Sequence, residues 1–125
     1  MACKTETRDV NGVSYEVTQF PAQTGVKLGF TLMTKLAPVL DLAGGGAVLE
    51  KLPKAIMQLG ANLKEGEFYD LLKRLLVNDC VKREGRRVDF EVDYSGELPE
   101  AMKAAAFVME VNYRDFFTGD HGLAV

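Results

Sequence analysis

Residues 98–117 read "LPEAMKAAAFVMEVNYRDFF". Pro99 suits the first turn of a helix, where its missing N–H costs nothing. The pattern predicts a helix from there to about Phe117. Leu98, Met102, Ala105, Met109, Tyr113 and Phe116 fall on one stripe, and Phe107, Val108 and Val111 occupy other faces. A helix that is apolar nearly all round is central to its domain or is covered by a partner. The chain carrying it has 125 residues, one domain by length. We expect a single domain over 1–125, with an ordered core at 8–118 and a frayed tail at 119–125.

Upstream of this helix, residues 79–94, "DCVKREGRRVDFEVDY", predict a β-hairpin. Glu84-Gly85 is the expected turn, with Val88, Phe90, Val92 and Tyr94 alternating on the returning arm. Before it, Phe68, Leu71, Leu72, Leu75 and Leu76 share one face of a helix expected at 66–78, with Glu67, Asp70, Lys73 and Arg74 facing out. A short helix is expected over about 53–60, carrying Ile56 and Leu59.

The first half opens with a second hairpin signal. Asn11-Gly12 joins residues 4–10 to 13–18, and Asn-Gly is favoured where both turn residues need positive φ. Val13, Tyr15 and Val17 alternate with Ser14, Glu16 and Thr18. The first arm, "KTETRDV", is polar and reads as an edge strand. Pro21 then opens a helix with two apolar stripes. One holds Val26, Phe30, Met33, Ala37 and Leu40; the other holds Leu28, Leu32, Leu36 and Val39. Pro38 should kink or restart this helix, and Gly44-Gly45-Gly46 should end it. The fold class is therefore α+β and mainly helical. It has an N-terminal β-hairpin, about four helices and a second β-hairpin before the last helix.

The composition narrows the function. With 47% apolar and 26% charged residues, disorder throughout is not expected. A net charge of −3 argues against a dominant nucleic-acid role. Cys3 and Cys80 form neither a disulfide framework nor a zinc pattern, so a reduced, cytoplasmic chain is expected. The N-terminal "MACKTETRDV" has no apolar core of a secretory signal, and no apolar run approaches the roughly 20 residues of a bilayer span.

No pattern spells out a reaction. His121 lies in the tail without a positioned acid. Ser14 and Ser95 lack a nucleophile-elbow context. Lys82 and Arg83 could lower the pKa of Cys80, against the reading of a small buried residue. The triple glycine follows a helix and is not trailed by Lys-Ser or Lys-Thr, unlike a phosphate loop. No calcium-loop spacing occurs. Lys82, Arg83, Arg86 and Arg87 form a basic hairpin tip, which supports an alternative reading as a winged-type DNA-binding regulator using residues 82–87. Against it, the helix at 66–78 is not basic. The main surplus is apolar helical surface. Leu28, Leu32, Leu36, Val39, Phe107, Val111 and Phe117 are the candidate partner-binding residues.

"NGVSYEVTQFPAQTGVKL", "LMTKLAPVL" and "VMEVNYRDFF" together resemble the tail assembly chaperones of long-tailed bacteriophages. The matching positions are Gly12, Tyr15, Val17, Pro21, Ala22, Lys27, Leu36, Pro38, Val111, Asn112, Tyr113, Asp115, Phe116 and Phe117. The resemblance covers about residues 9–119, with 47–80 matching only in pattern. It implies a non-enzymatic role without cofactor or metal, in the cytoplasm of an infected or lysogenic bacterium. It implies binding to apolar helical segments of the tape measure protein until the tail tube polymerises around it. Several relatives have a longer, frameshifted form whose extension recruits tube protein, and a homo-oligomer is compatible with the family. Membrane and nucleic acid are not expected partners. Gly12, Tyr15, Pro21, Asn112, Tyr113, Asp115 and Phe116 are expected to be structural. Tyr113, Phe116 and Phe117 should close the last helix against Tyr15 and Val17, with Asn112 and Asp115 tying down nearby backbone.

Overall fold

Asn11 and Gly12 have φ of 51° and 84°. Positive φ at both positions is what a two-residue hairpin needs to match the twist of its strands. The turn joins β1 (Thr5–Val10) to β2 (Val13–Thr18), with Val10 opposite Val13 and Thr5 opposite Thr18. The alternation reads out directly: Tyr15 and Val17 are buried, while Ser14 and Glu16 are exposed. The computed structural model describes residues 4–43, Ile56 and residues 63–118, without the side chains of residues 33, 36–43, 65 and 114–118. The triple glycine, Cys3, His121 and the tail at 119–125 lie outside the described residues, as does the expected helix at 53–60 apart from Ile56, which is helical and buried.

Helix α1 spans Ala22–Ala43. Pro21 stands just before it, and its carbonyl accepts the Gly25 N–H at 2.8 Å. Of the expected kink or restart at Pro38, the restart does not occur, since α1 is one helix across that position. Proline has a helical φ and removes one hydrogen bond, a local loss within 22 residues. Helix α2 spans Glu65–Leu76. The Glu67 carboxylate accepts the Lys64 N–H at its start. At its end Asn78 donates to the carbonyls of Arg74 and Leu75 and accepts the Cys80 N–H, which turns the chain toward the sheet.

Strand β3 (Val81–Arg83) adds to β2 with Val81 opposite Val17 and Arg83 opposite Tyr15. Glu84 and Gly85, with φ of 52° and 82°, turn it into β4 (Arg86–Arg87). The sheet runs β1-β2-β3-β4, with every pair antiparallel.

The expected long returning arm does not form. Only two residues pair, and Phe90–Asp93 form a short helix, α3. The Asp93 carboxylate causes the change. It accepts the Asp89 N–H at 2.8 Å and two guanidinium contacts from Arg86, at 2.5 and 3.1 Å. A strand would hold residues 89 and 93 too far apart for that closure. Gly96, at φ 73°, then leads into α4 (Leu98–Thr118).

Helix α4 is central, as its apolar perimeter demands. It meets α2 on one side and β1 and β2 on another. Ala101, Ala104, Ala105 and Ala106 are buried, so neighbouring elements approach its axis closely. Phe107, Val108 and Met109 fill the core beside Leu72, Leu75 and Leu76 of α2. Tyr113 breaks the helix, with φ −128° and ψ 17°.

Candidate functional site

Gly25 and Gly29 are one turn apart on α1, and the Tyr113 ring lies against them. The Tyr113 hydroxyl donates to the Gly25 carbonyl at 2.8 Å. A Cβ on Gly29 would stand 3.0 Å from Cε1 of that ring. The glycines therefore let the break in α4 dock on α1. Asn112 fixes the same corner: its Oδ1 accepts the Phe20 N–H at 2.8 Å and its Nδ2 donates to the Val108 carbonyl at 3.0 Å. Gln19 adds a bond from its side-chain amide to the Val111 carbonyl. Burial pushes the Tyr113 hydroxyl pKa up to about 12, with a small opposing effect from Arg74.

This corner borders an open groove of about 480 Å³, lined by Gln19, Phe20, Ala22, Gly25, Val26, Gly29, Phe30, Asn112 and Tyr113. Val26 and Phe30 form its rim, and both are large apolar side chains in solvent, 71% and 75% exposed. At about 100° per residue they lie beside the glycine edge of α1. The groove offers an apolar floor, two apolar ridges and a few fixed amide groups, which suits binding a helical apolar segment.

Four of the seven expected partner-facing residues point inward. Leu28, Leu32, Phe107 and Val111 are all buried in the core of the folded chain. Leu28 and Leu32 form the inward stripe of α1, and Phe107 is covered by the Arg8 guanidinium, 4.4 Å from its ring centre. The side chains of Leu36, Val39 and Phe117 lie outside the described residues, as do those of Asp115 and Phe116. Tyr113 packs on α1, where the glycine edge admits its ring, and it shares one buried core cluster with Tyr15 and Val17. Gly12 makes its turn, Tyr15 is buried, and Asn112 ties down backbone. Val26, Phe30, Gly25 and Gly29 were not singled out for binding by pattern. The available signal was two glycines at helical spacing beside one of two apolar stripes.

The second hairpin and α4 are joined by a buried polar cluster. Arg83 reaches Glu100 through Nε at 2.7 Å and Nη2 at 3.3 Å, and Asp93 at 3.5 Å. Tyr15 donates to Glu100 and shares a 2.9 Å hydroxyl contact with Tyr94. Burial, then the hydrogen bond to Glu100, raises the Tyr15 pKa far above its ordinary value. Burial pushes Tyr94 up to about 12. The Arg86 hydrogen bond, aided by the Asp89 N–H and Arg83, holds Asp93 below its ordinary value despite burial. Among the described residues no buried side-chain nitrogen or oxygen lacks a partner. The cluster is a structural tie whose buried polar groups are all partnered.

That tie bears on the basic tip. Arg83 and Arg86 are paired with Glu100 and Asp93, and Arg87 contacts Asp79 at 3.3 Å. Three of the four tip cations thus have intramolecular carboxylate partners, which leaves little excess positive charge for phosphates. Cys80 is half-buried, with its Sγ 3.9 Å from the Gln19 carbonyl. Among the described residues no helix is long and apolar enough to cross a membrane.

A family model described as "Phage tail assembly chaperone protein, TAC" matches residues 11–124. No curated protein and no solved structure matched the chain.

Proposed function

The chain belongs to the family of phage tail assembly chaperone proteins, and from that premise we propose that it holds apolar helical segments of the tape measure protein. In this reading it keeps that protein soluble, in the bacterial cytoplasm, until the tail tube polymerises around it. The observation that carries the reading is the pair Val26 and Phe30, exposed at the rim of the groove beside Gly25, Gly29 and Tyr113. An amphipathic helix laid along α1 would cover both side chains and place an apolar residue over the groove floor. Burying a Val and a Phe contributes roughly 1.5–3 kcal/mol each. Association costs of similar size offset much of that gain. One groove therefore binds weakly and releases readily, and several copies along one long partner supply retention. A longer frameshifted form would extend beyond the end of α4, the helix that contributes Tyr113 to the groove, and bring tube protein near the same partner.

The test is co-expression with the tape measure protein of the same locus, then affinity capture and size-exclusion with light scattering. The wild-type chain is expected to render that protein soluble and to co-elute with it in several copies. Val26→Asp and Phe30→Asp should lose capture while keeping the thermal midpoint of the wild type. Capture undiminished in both variants would move the binding surface elsewhere. A tape measure protein that stays insoluble with the wild-type chain would overturn the reading.

A further inference from the structure

We propose that two copies of this chain pair through the outer edge of β1, forming a continuous antiparallel sheet across a two-fold axis at Thr7. The sheet order leaves β1 paired only to β2, so one side of a six-residue strand has no neighbour among the described residues. The opposite edge differs, because β4 has only two residues before the chain turns into α3. The direction of each backbone group on β1 follows from the hairpin. Across a two-residue turn, the flanking pair Val10 and Val13 exchanges both hydrogen bonds, and such pairs recur at every second residue. Val10, Arg8 and Glu6 therefore turn their N–H and C=O toward β2. Lys4 continues that parity, its carbonyl accepting the Gln19 N–H at 2.9 Å. Thr5, Thr7 and Asp9 turn theirs outward, and all three are exposed.

Charge selects both the occupant and the register. A second β1 strand running antiparallel must pair its own outward residues with these three, which allows only registers differing by two residues. With Thr7 opposite Thr7, Thr5 faces Asp9, and each Glu6 faces an Arg8 of the other copy. Sliding by two residues one way puts Glu6 opposite Glu6 and Lys4 opposite Arg8. Sliding the other way puts Arg8 opposite Arg8. Like charges directly opposite destabilise a pair, and opposite charges support it. Among registers that overlap three or more residues of β1, the strand is thus self-complementary only in this one, which is what an isologous two-fold contact requires. Arg8 is already held in position, over the Phe107 ring and bonded to Glu110 at 2.8 and 3.3 Å. A guanidinium has five N–H donors, so it can serve Glu110 and a carboxylate of the second copy together. β1 also lacks proline and bulge, two of the usual devices that discourage edge pairing, and the charges it does carry are complementary in this register.

Sedimentation velocity over a concentration series, together with cysteine crosslinking, tests this. The wild-type chain is expected to dimerise with rising concentration. Thr7→Pro removes an outward N–H at an edge position that tolerates proline, and should leave a folded monomer. Glu6→Lys should weaken the dimer by roughly tenfold or more, since two attractive pairs become repulsive. In a chain carrying Cys3→Ser and Cys80→Ala, Thr7→Cys should oxidise to a disulfide dimer. Its Cα atoms would stand about 5.5 Å apart, within disulfide range. Thr5→Cys in the same background should not. A monomer at every concentration, a dimer indifferent to Thr7→Pro, or equal crosslinking of both cysteine variants would overturn the proposal. A dimer lost with Phe30→Asp instead would make the groove the contact between copies.

Discussion

Gly29 governs how closely α1 and α4 approach. A glycine inside a helix usually gains about 0.5–1 kcal/mol on replacement by alanine. At Gly29 the new Cβ would meet Cε1 of Tyr113 at 3.0 Å, and that ring is buried and tied to Gly25. The steric effect outweighs the entropic gain, so Gly29→Ala is expected to lower stability by about 1–3 kcal/mol in urea unfolding. Gly66 in α2 has nothing within 4 Å of its Cβ position, so Gly66→Ala should raise stability by up to about 1 kcal/mol. In a Tyr113→Leu background Gly29→Ala should become neutral or favourable, the coupling expected of touching residues. Tyr113 also sets an alkaline limit. Its pKa is raised in the folded chain from 10.0 to about 12. A raised pKa contributes stability that is fully present below pH 10 and is lost as pH climbs to about 12. Unfolding free energy should therefore fall across that window, with Tyr94 contributing likewise, and tyrosinate absorbance should rise late. Tyr113→Phe should remove part of the fall.

Each helix carries a division of labour that its pattern leaves ambiguous. α1 has two apolar stripes of similar quality, and composition does not rank them. The structure buries Leu28 and Leu32 and exposes Val26 and Phe30. Leu32→Ala should cost about 2–5 kcal/mol. Phe30→Ala should change stability by no more than about 0.5 kcal/mol, as exposed positions do. Equal losses at both positions, measured by chemical denaturation, would mean that the outer stripe is covered. In α4 the pattern was decisive, because apolar residues on most sides require neighbours on most sides, and Ala101, Ala104–Ala106 and Phe107–Met109 are all buried. Its break at Tyr113 was not legible. That break follows from the ring docking on two glycines nearly ninety residues earlier, with Asn112 holding the Phe20 N–H. Segment 88–94 shows the same limit. Its alternation reads as strand, yet Asp93 captures Arg86 and its own Asp89 N–H and coils the chain.

Across the whole molecule, one polar cluster fastens the second hairpin to the central helix. Glu100 is buried and takes both Arg83 and Tyr15. Glu100→Ala should cost about 3–5 kcal/mol, since it leaves a guanidinium short of its partner. Glu100→Gln, which keeps the shape, should cost less. Asp93 adds an acid limit. Its pKa lies below the ordinary 3.8, so its contribution is complete above that value and is lost as pH falls through the depressed one. Arg86→Ala should shrink the acid-dependent loss in a pH series of unfolding curves. The same cluster consumes cations that, read along the chain, look like a phosphate-binding tip. The sequence by itself determined the two turns, the β2 alternation, the α2 face and the central place of α4. Each of these rests on local φ requirements or on periodicity within one element. The tertiary structure alone decided that Val26 and Phe30 face out while Leu28 and Leu32 face in, where Tyr113 docks, and which arginines pair with carboxylates. Those outcomes depend on contacts between residues far apart in the chain, and no local pattern encodes which distant side chain will arrive.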